Sequence, residues 1–175
     1  MITVEELLAV QAAAPQVMRV LTDVARMQDW VAPGITVTPL TAGARLAPGE
    51  RFRLLLPAGL SFDYLVEAAS DRELVHSFRG PWSGRERWSI VPDAAETIVR
   101  RLYQVDAGSA LLDLGWSTIG RAFVMAHFKL ELSRFKRTVE RLRIAGAAGP
   151  PAEIPSPPAT APTGATPPSF PIDDG

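Results

Sequence analysis

The strongest constraint on the fold of this chain is one long amphipathic segment, roughly residues 117–143, which follows a series of β-patterned runs and precedes a proline-rich stretch. Met125, Phe128, Leu132, Phe135, Val139 and Leu142 recur at spacings of three and four, so a 3.6-residue period gathers them into one apolar stripe. Ile119, Phe123, Ala126 and Leu130 form a second stripe on roughly the opposite side, confined to the N-terminal half. A helix patterned in this way is enclosed at its beginning and half-exposed towards its end. At about 1.5 Å per residue it spans roughly 40 Å, enough to cross a whole small sheet. The expected architecture is a curved sheet wrapped around one helix, an arrangement that often leaves a cavity between them.

The sequence ahead of the helix supplies that sheet. Within residues 4–11 the alternation of Leu8, Val10 and Ala12 suits a first strand, although Glu5, Glu6, Leu7 and Leu8 also suit a helix. The strand reading is preferred because Ala14-Pro15 then marks a boundary and Pro15 fits the first turn of a following helix. Residues 16–28 read as a short helix or a helix pair, with Asp23 placed to cap a second helix ending near Trp30. Six strand-like runs follow at 35–39, 50–56, 60–68, 73–78, 85–91 and 97–105, with turn signals at 57–59, 80–84 and Pro92-Asp93. In the third run Phe62, Tyr64, Val66 and Ala68 share one face. Strands recurring about every ten residues with tight turns between them make an antiparallel meander. The fold class is therefore α+β.

Composition changes abruptly near residue 146. Nine of the 16 prolines fall in the last 30 residues, with Ala, Gly, Ser and Thr and no basic residue. Such a segment cannot bury enough apolar surface to offset its ordering entropy, so a domain over 1–145 and a disordered, partly polyproline tail over 146–175 are expected. The net charge of −1 hides an uneven split: all 18 Lys and Arg precede residue 144, against 16 of the 19 acids, leaving the folded part near +2. That is too weakly basic to predict nucleic acid as a partner. With no cysteine and only His76 and His127, thiolate and multi-histidine metal centres are excluded, and no metal or cofactor is expected. P-loop, G-x-G-x-x-G, H-E-x-x-H and G-x-S-x-G motifs do not occur. The opening MITVEELLAV has two glutamates and no basic region, and no apolar run approaches the ~18 residues of a membrane span, so a cytoplasmic protein is expected.

Several local sequences carry a family resemblance. The stretch APQVMRVLTDVARMQDWVAPGITV resembles the first helical region of the START-like superfamily, also called SRPBCC or Bet v 1-like, through Ala14-Pro15, Val17, Leu21, Asp23, Arg26, Trp30 and Pro33. GPWSGRERWSIVPDAAETIVRRLYQV is similar to that family's adjacent strands, and FVMAHFKLELSRFKRTVERL to its C-terminal helix. The resemblance covers residues 4–144 and is closest in flavour to the polyketide cyclase/dehydrase-type subfamily. It implies a helix-grip fold: about seven antiparallel strands gripping the long C-terminal helix, short helices after the first strand, and a cavity for an apolar ligand such as a lipid, isoprenoid, quinone or polyketide-like aromatic.

On that reading Phe62, Tyr64, Phe78, Trp88, Tyr103 and Phe123 are candidates for the cavity wall, although aromatics of this kind also simply fill cores. His76 alternates with Leu74 and Phe78 and so shares an apolar face, while His127 lies beside the main stripe of the long helix with Glu131 four residues on. Arg101 shares a face with Val99 and Tyr103 in one phase of the last strand; Ile98, Arg100 and Leu102 form an alternative inward set, and the alternation supports either. Pointing inward, Arg101 would be a buried cation in need of an anion. The basic cluster Arg134, Lys136, Arg137, Arg141 and Arg143 suits the helix C-terminus, and is also compatible with an acidic partner or peripheral membrane contact. Three functions follow: a carrier of an apolar ligand in a cavity of at least about 300 Å³; a cyclase, dehydratase or aromatase using Tyr64, His76, Arg101 or Tyr103 for proton transfer; or a protein-interaction module.

Overall fold

Alternation of apolar and polar side chains is realised as seven strands of one antiparallel sheet in the computed structural model, which describes residues 1–94, 96–106 and 121–147. The strands are β1 Ile2–Val10, β2 Thr36–Pro39, β3 Arg51–Leu55, β4 Ser61–Ala69, β5 Glu73–Arg79, β6 Ser83–Asp93 and β7 Glu96–Asp106. Their order across the sheet is β1-β7-β6-β5-β4-β3-β2. Six strands thus form a meander and the first closes beside the last. Two short helices, α1 Ala14–Thr22 and α2 Val24–Trp30, carry the chain from one edge of the sheet to the other, and α3 Arg121–Ala147 lies on the same face. The hinge between α1 and α2 is Asp23, whose carboxylate accepts from the Arg26 amide at 3.3 Å, the cap expected from its position.

Two local expectations are corrected. Ala68 is exposed rather than inward, because a β-bulge between Val66 and Ala68 shifts the phase of β4 and leaves Ala69 half-buried. The turn expected at Pro92-Asp93 is instead strand, since Pro92 pairs with Thr97 and Asp93 with Glu96. The Ile90 amide donates to the Arg72 carbonyl on the β5 side of the strand. Pro92, two residues on, would point its N–H the same way but past the end of β5, so its missing donor removes no ladder bond.

Helix α3 is held most firmly over its C-terminal half. Phe135 and Val139 are fully buried, and Trp30, Trp88 and Phe135 form a triad with centroids 5.4–5.9 Å apart, Trp30 edge-on to the other two rings. Polar ties reinforce it: Lys136 Nζ donates to the Ala9 carbonyl at 2.7 Å, the Gln11 amide to Glu140 Oε1 at 3.0 Å, and Arg134 Nη2 to the Asp29 carbonyl at 3.0 Å. Part of the basic cluster thus fastens the helix rather than covering its solvent side. The main stripe packs inward as its spacing requires, whereas Ala126 and Leu130 of the second stripe are exposed. Residues 117–120 of the expected helix, the Phe123 side chain and residues 148–175 of the expected tail lie outside the described residues. No described helix is long and apolar enough to cross a membrane.

Candidate functional site

Because side chains alternate along a strand, the inward face of β7 is fixed by the burial of Val99, Arg101, Tyr103 and Val105. Arg101 therefore points under α3, at 6% exposure. The register sets Trp88 opposite Arg101, Glu86 opposite Tyr103, and His76 opposite Glu86. One polar row thus crosses three neighbouring strands, β5, β6 and β7, inside an otherwise aromatic face. Helix α3 completes it from above with Phe128 and Glu131, three residues apart and so on one helical face.

The guanidinium of Arg101 is held from several sides. Its Nε donates to Glu86 Oε1 at 2.5 Å and its Nη1 to Glu131 Oε2 at 2.7 Å. Its carbon centre lies 3.8 Å from the Phe128 ring centroid and 4.7 Å from that of Trp88. Two histidines flank this core. His127 Nε2 is 3.2 Å from Glu131 Oε1, and His76 Nδ1 is 3.5 Å from Glu86 Oε2. His76 Nδ1 makes no hydrogen bond, so that contact is electrostatic.

Burial alone would raise the Glu86 carboxyl, but Arg101, with His76 beside it, outweighs burial and brings it down to about 2. Glu131 is likewise pushed up by burial and pulled below its usual value by Arg101 and His127. Burial disfavours charge on Arg101, yet the two carboxylates hold its proton more firmly than usual. Burial also lifts the Tyr64 and Tyr103 hydroxyls well above the ordinary phenol range, the second despite a hydrogen bond from Trp82 Nε1 at 3.3 Å.

Two cavities lie between sheet and helix among the described residues. The larger, about 70 Å³, sits under the N-terminal half of α3, walled by Ile35, Leu54, Leu56, Phe62, Trp82 and Phe128. Its polar lining is Tyr64, Arg101, Tyr103, His127 and Glu131. The smaller, about 20 Å³, is lined by Trp30 and Trp88 and bordered by His76, Glu86, Arg101 and Glu131. Both are far smaller than the ~300 Å³ at which pockets for drug-sized ligands begin, so the expected size is not reached. The aromatic residues account for the difference: Phe52 stacks on Tyr64 at 4.8 Å and Phe78 on Tyr103 at 4.7 Å, filling the face.

Of the residues singled out from sequence, Phe62, Tyr64, Arg101, Tyr103 and His127 come together around the larger cavity. His76 and Trp88 border the smaller one, and Phe78 lines neither. Arg53 and Asp63 pair on the outer surface at 2.6 Å, as their outward phase implies. Of the two glutamates that organise the site, Glu131 stood out only as the neighbour of His127 four residues on, and Glu86 not at all. Glu86 stands two residues before Trp88 on the same strand, and Glu131 is bracketed by Phe128 and Leu132, so both inward positions carry a periodicity signal. A carboxylate on an apolar stripe is a partner waiting for a cation.

Comparison with known proteins places this geometry. A family profile described as "Polyketide cyclase / dehydrase and lipid transport" matches residues 1–140. Among curated proteins, none matches. A START superfamily protein from Mycobacterium smegmatis has a similar structure, with TM-score 0.59 and 18% identity over 80% of this chain and 98% of that one. Protein CV1439 from Chromobacterium violaceum is similar at TM-score 0.63 and 14% identity, covering 79% and 96%. DynU16, a putative protein in the dynemicin biosynthetic locus, is similar at TM-score 0.60 and 18% identity over 79% of this chain, which spans 47% of DynU16. At these identities the likeness concerns the fold.

Proposed function

The chain belongs to the polyketide cyclase/dehydrase and lipid transport family, and we propose that it binds an apolar or aromatic small molecule in the larger cavity, under the N-terminal half of α3. The observation that carries this reading is the contrast along one helix. The C-terminal half is closed by the Trp30, Trp88 and Phe135 triad, while the N-terminal half borders an apolar space ending on His127, Glu131 and Arg101. Apolar walls converging on a few polar groups are the usual form of a small-molecule site. At about 70 Å³ the space takes a compact ligand, or a larger one only as the walls part. Native mass spectrometry of the protein purified from its own host tests the proposal. A stoichiometric apolar adduct, released on denaturation, is the expected result. A clean unliganded mass, together with no binding of added aromatic or aliphatic probes, would sink it.

A second reading, catalysis of the cyclase or dehydratase type in the same cavity, is favoured by one observation. His127 is 22% exposed at the cavity while Glu131 behind it is 4% exposed, so a buried carboxylate orients an accessible imidazole. Arg101 and the two tyrosines keep their protons too firmly to serve as bases, and His76 does not line this cavity. His127→Gln would then abolish turnover of an identified ligand while leaving its affinity within about threefold. Unchanged turnover would remove His127 from any chemistry.

A further inference from the structure

The charge balance at the polar end of the larger cavity narrows what can bind there, on the premise that a ligand occupies it. Among the described residues, Arg101 is the only Lys or Arg that lines the cavity. It is already matched by Glu86 and Glu131, at 2.5 and 2.7 Å, and its guanidinium carbon lies over the rings of Trp88 and Phe128. With both imidazoles neutral, the buried set holds two carboxylates to one cation. Each imidazole of the set stands beside one of those two carboxylates, at 3.5 and 3.2 Å, rather than apart from them. Both carboxylates are ionised at neutral pH, being held below their usual range.

Acceptor capacity, by contrast, is left over. A carboxylate offers about four lone-pair sites, and among the described residues each oxygen of Glu131 is engaged once, by Arg101 and by His127. An incoming carboxylate or phosphate would meet two ionised carboxylates and, among the described residues, no unmatched Lys or Arg, whereas an alcohol, phenol or amine would meet acceptors with lone pairs to spare. We infer that this site selects ligands whose polar end is a neutral or cationic hydrogen-bond donor, and rejects anionic head groups such as free fatty acids and phospholipid phosphates. The inference deepens the ligand-binding reading and rests on it.

Three probes with one apolar body separate the possibilities: 2-naphthalenemethanol, 2-naphthalenemethylamine and 2-naphthoate, titrated calorimetrically into the full chain at neutral pH and moderate salt. The alcohol and the amine are expected to bind at least about tenfold more tightly than the carboxylate, since like charges brought together across an interface cost several kcal/mol. The variant Glu131→Gln is expected to narrow that gap, and the wild-type ranking stands as a test even if the variant does not fold. A carboxylate that binds as tightly as the alcohol overturns the selectivity while leaving ligand binding intact. Failure of all three probes to bind overturns both.

Discussion

Removing Arg101 leaves two buried carboxylates without the cation that matches them. Breaking a buried ion pair from one side costs about 3–5 kcal/mol, whereas replacing the whole set with apolar groups is often neutral. Arg101→Met is therefore expected to lower stability by about that amount in urea titrations at neutral pH. The triple variant Arg101→Met, Glu86→Leu, Glu131→Leu should recover most of the loss. If the single and triple variants are equally destabilised, the cost lies in packing against Trp88 and Phe128 rather than in charge. Acid gives an independent check on the same residues. Glu86 is held at about 2 in the folded chain against an ordinary value of 4.5, so its contribution is full above pH 4.5 and is lost as pH falls towards 2. Glu131, also lowered, adds in the same direction. Stability should decline through that window and decline less steeply in Glu86→Gln; an equal slope in the two proteins would separate the acid transition from this carboxylate. Sequence alone revealed part of this cluster. Arg101 stood out because its residue type conflicts with one of its two phases, but nothing local to β7 chooses the phase. Register against β1 and β6 does so, and register is a property of the whole sheet.

At the level of elements, the long helix was legible because a 3.6-residue period sustained over six apolar positions fits a helix and no strand. Its four central stripe residues, Phe128, Leu132, Phe135 and Val139, are buried. The bulge in β4 was not legible, since one extra residue in a strand leaves no mark on composition and only a slip in phase. Nor was the extension of β6 through Pro92, because proline reads as a turn unless the neighbouring strand is known to have ended. The two halves of α3 differ in what they close, and substitution should reveal the difference. Phe135→Ala empties the centre of the tryptophan triad and is expected to cost about 3–5 kcal/mol, with a Cm shift at unchanged m. Leu130→Ala, on the exposed side at 42% exposure, should stay within about 0.5 kcal/mol. Comparable losses at the two positions would mean that Leu130 is covered in solution by something other than water.

For the whole molecule the open question is whether the sheet and helix stay closed over the larger cavity, and the chain carries its own reporter. It has two tyrosines, Tyr64 and Tyr103, and both line that cavity at 5–6% exposure. Burial lifts both hydroxyls well above their usual value of 10. A folded pKa raised above the unfolded one means that the stabilising contribution is present below about pH 10 and is lost as pH rises past it. In denaturant both tyrosines should ionise near about pH 10. In the native protein, near-ultraviolet tyrosinate absorbance should stay flat through that point and rise only when circular dichroism reports loss of structure. Every tyrosine in the chain faces one cavity, so the titration measures that cavity's access to water without labels or substitutions. A reversible rise near pH 10 with unchanged dichroism would mean that the walls part readily in the absence of ligand. The volume open to a ligand would then exceed 70 Å³, and the size limit on what binds would lift with it.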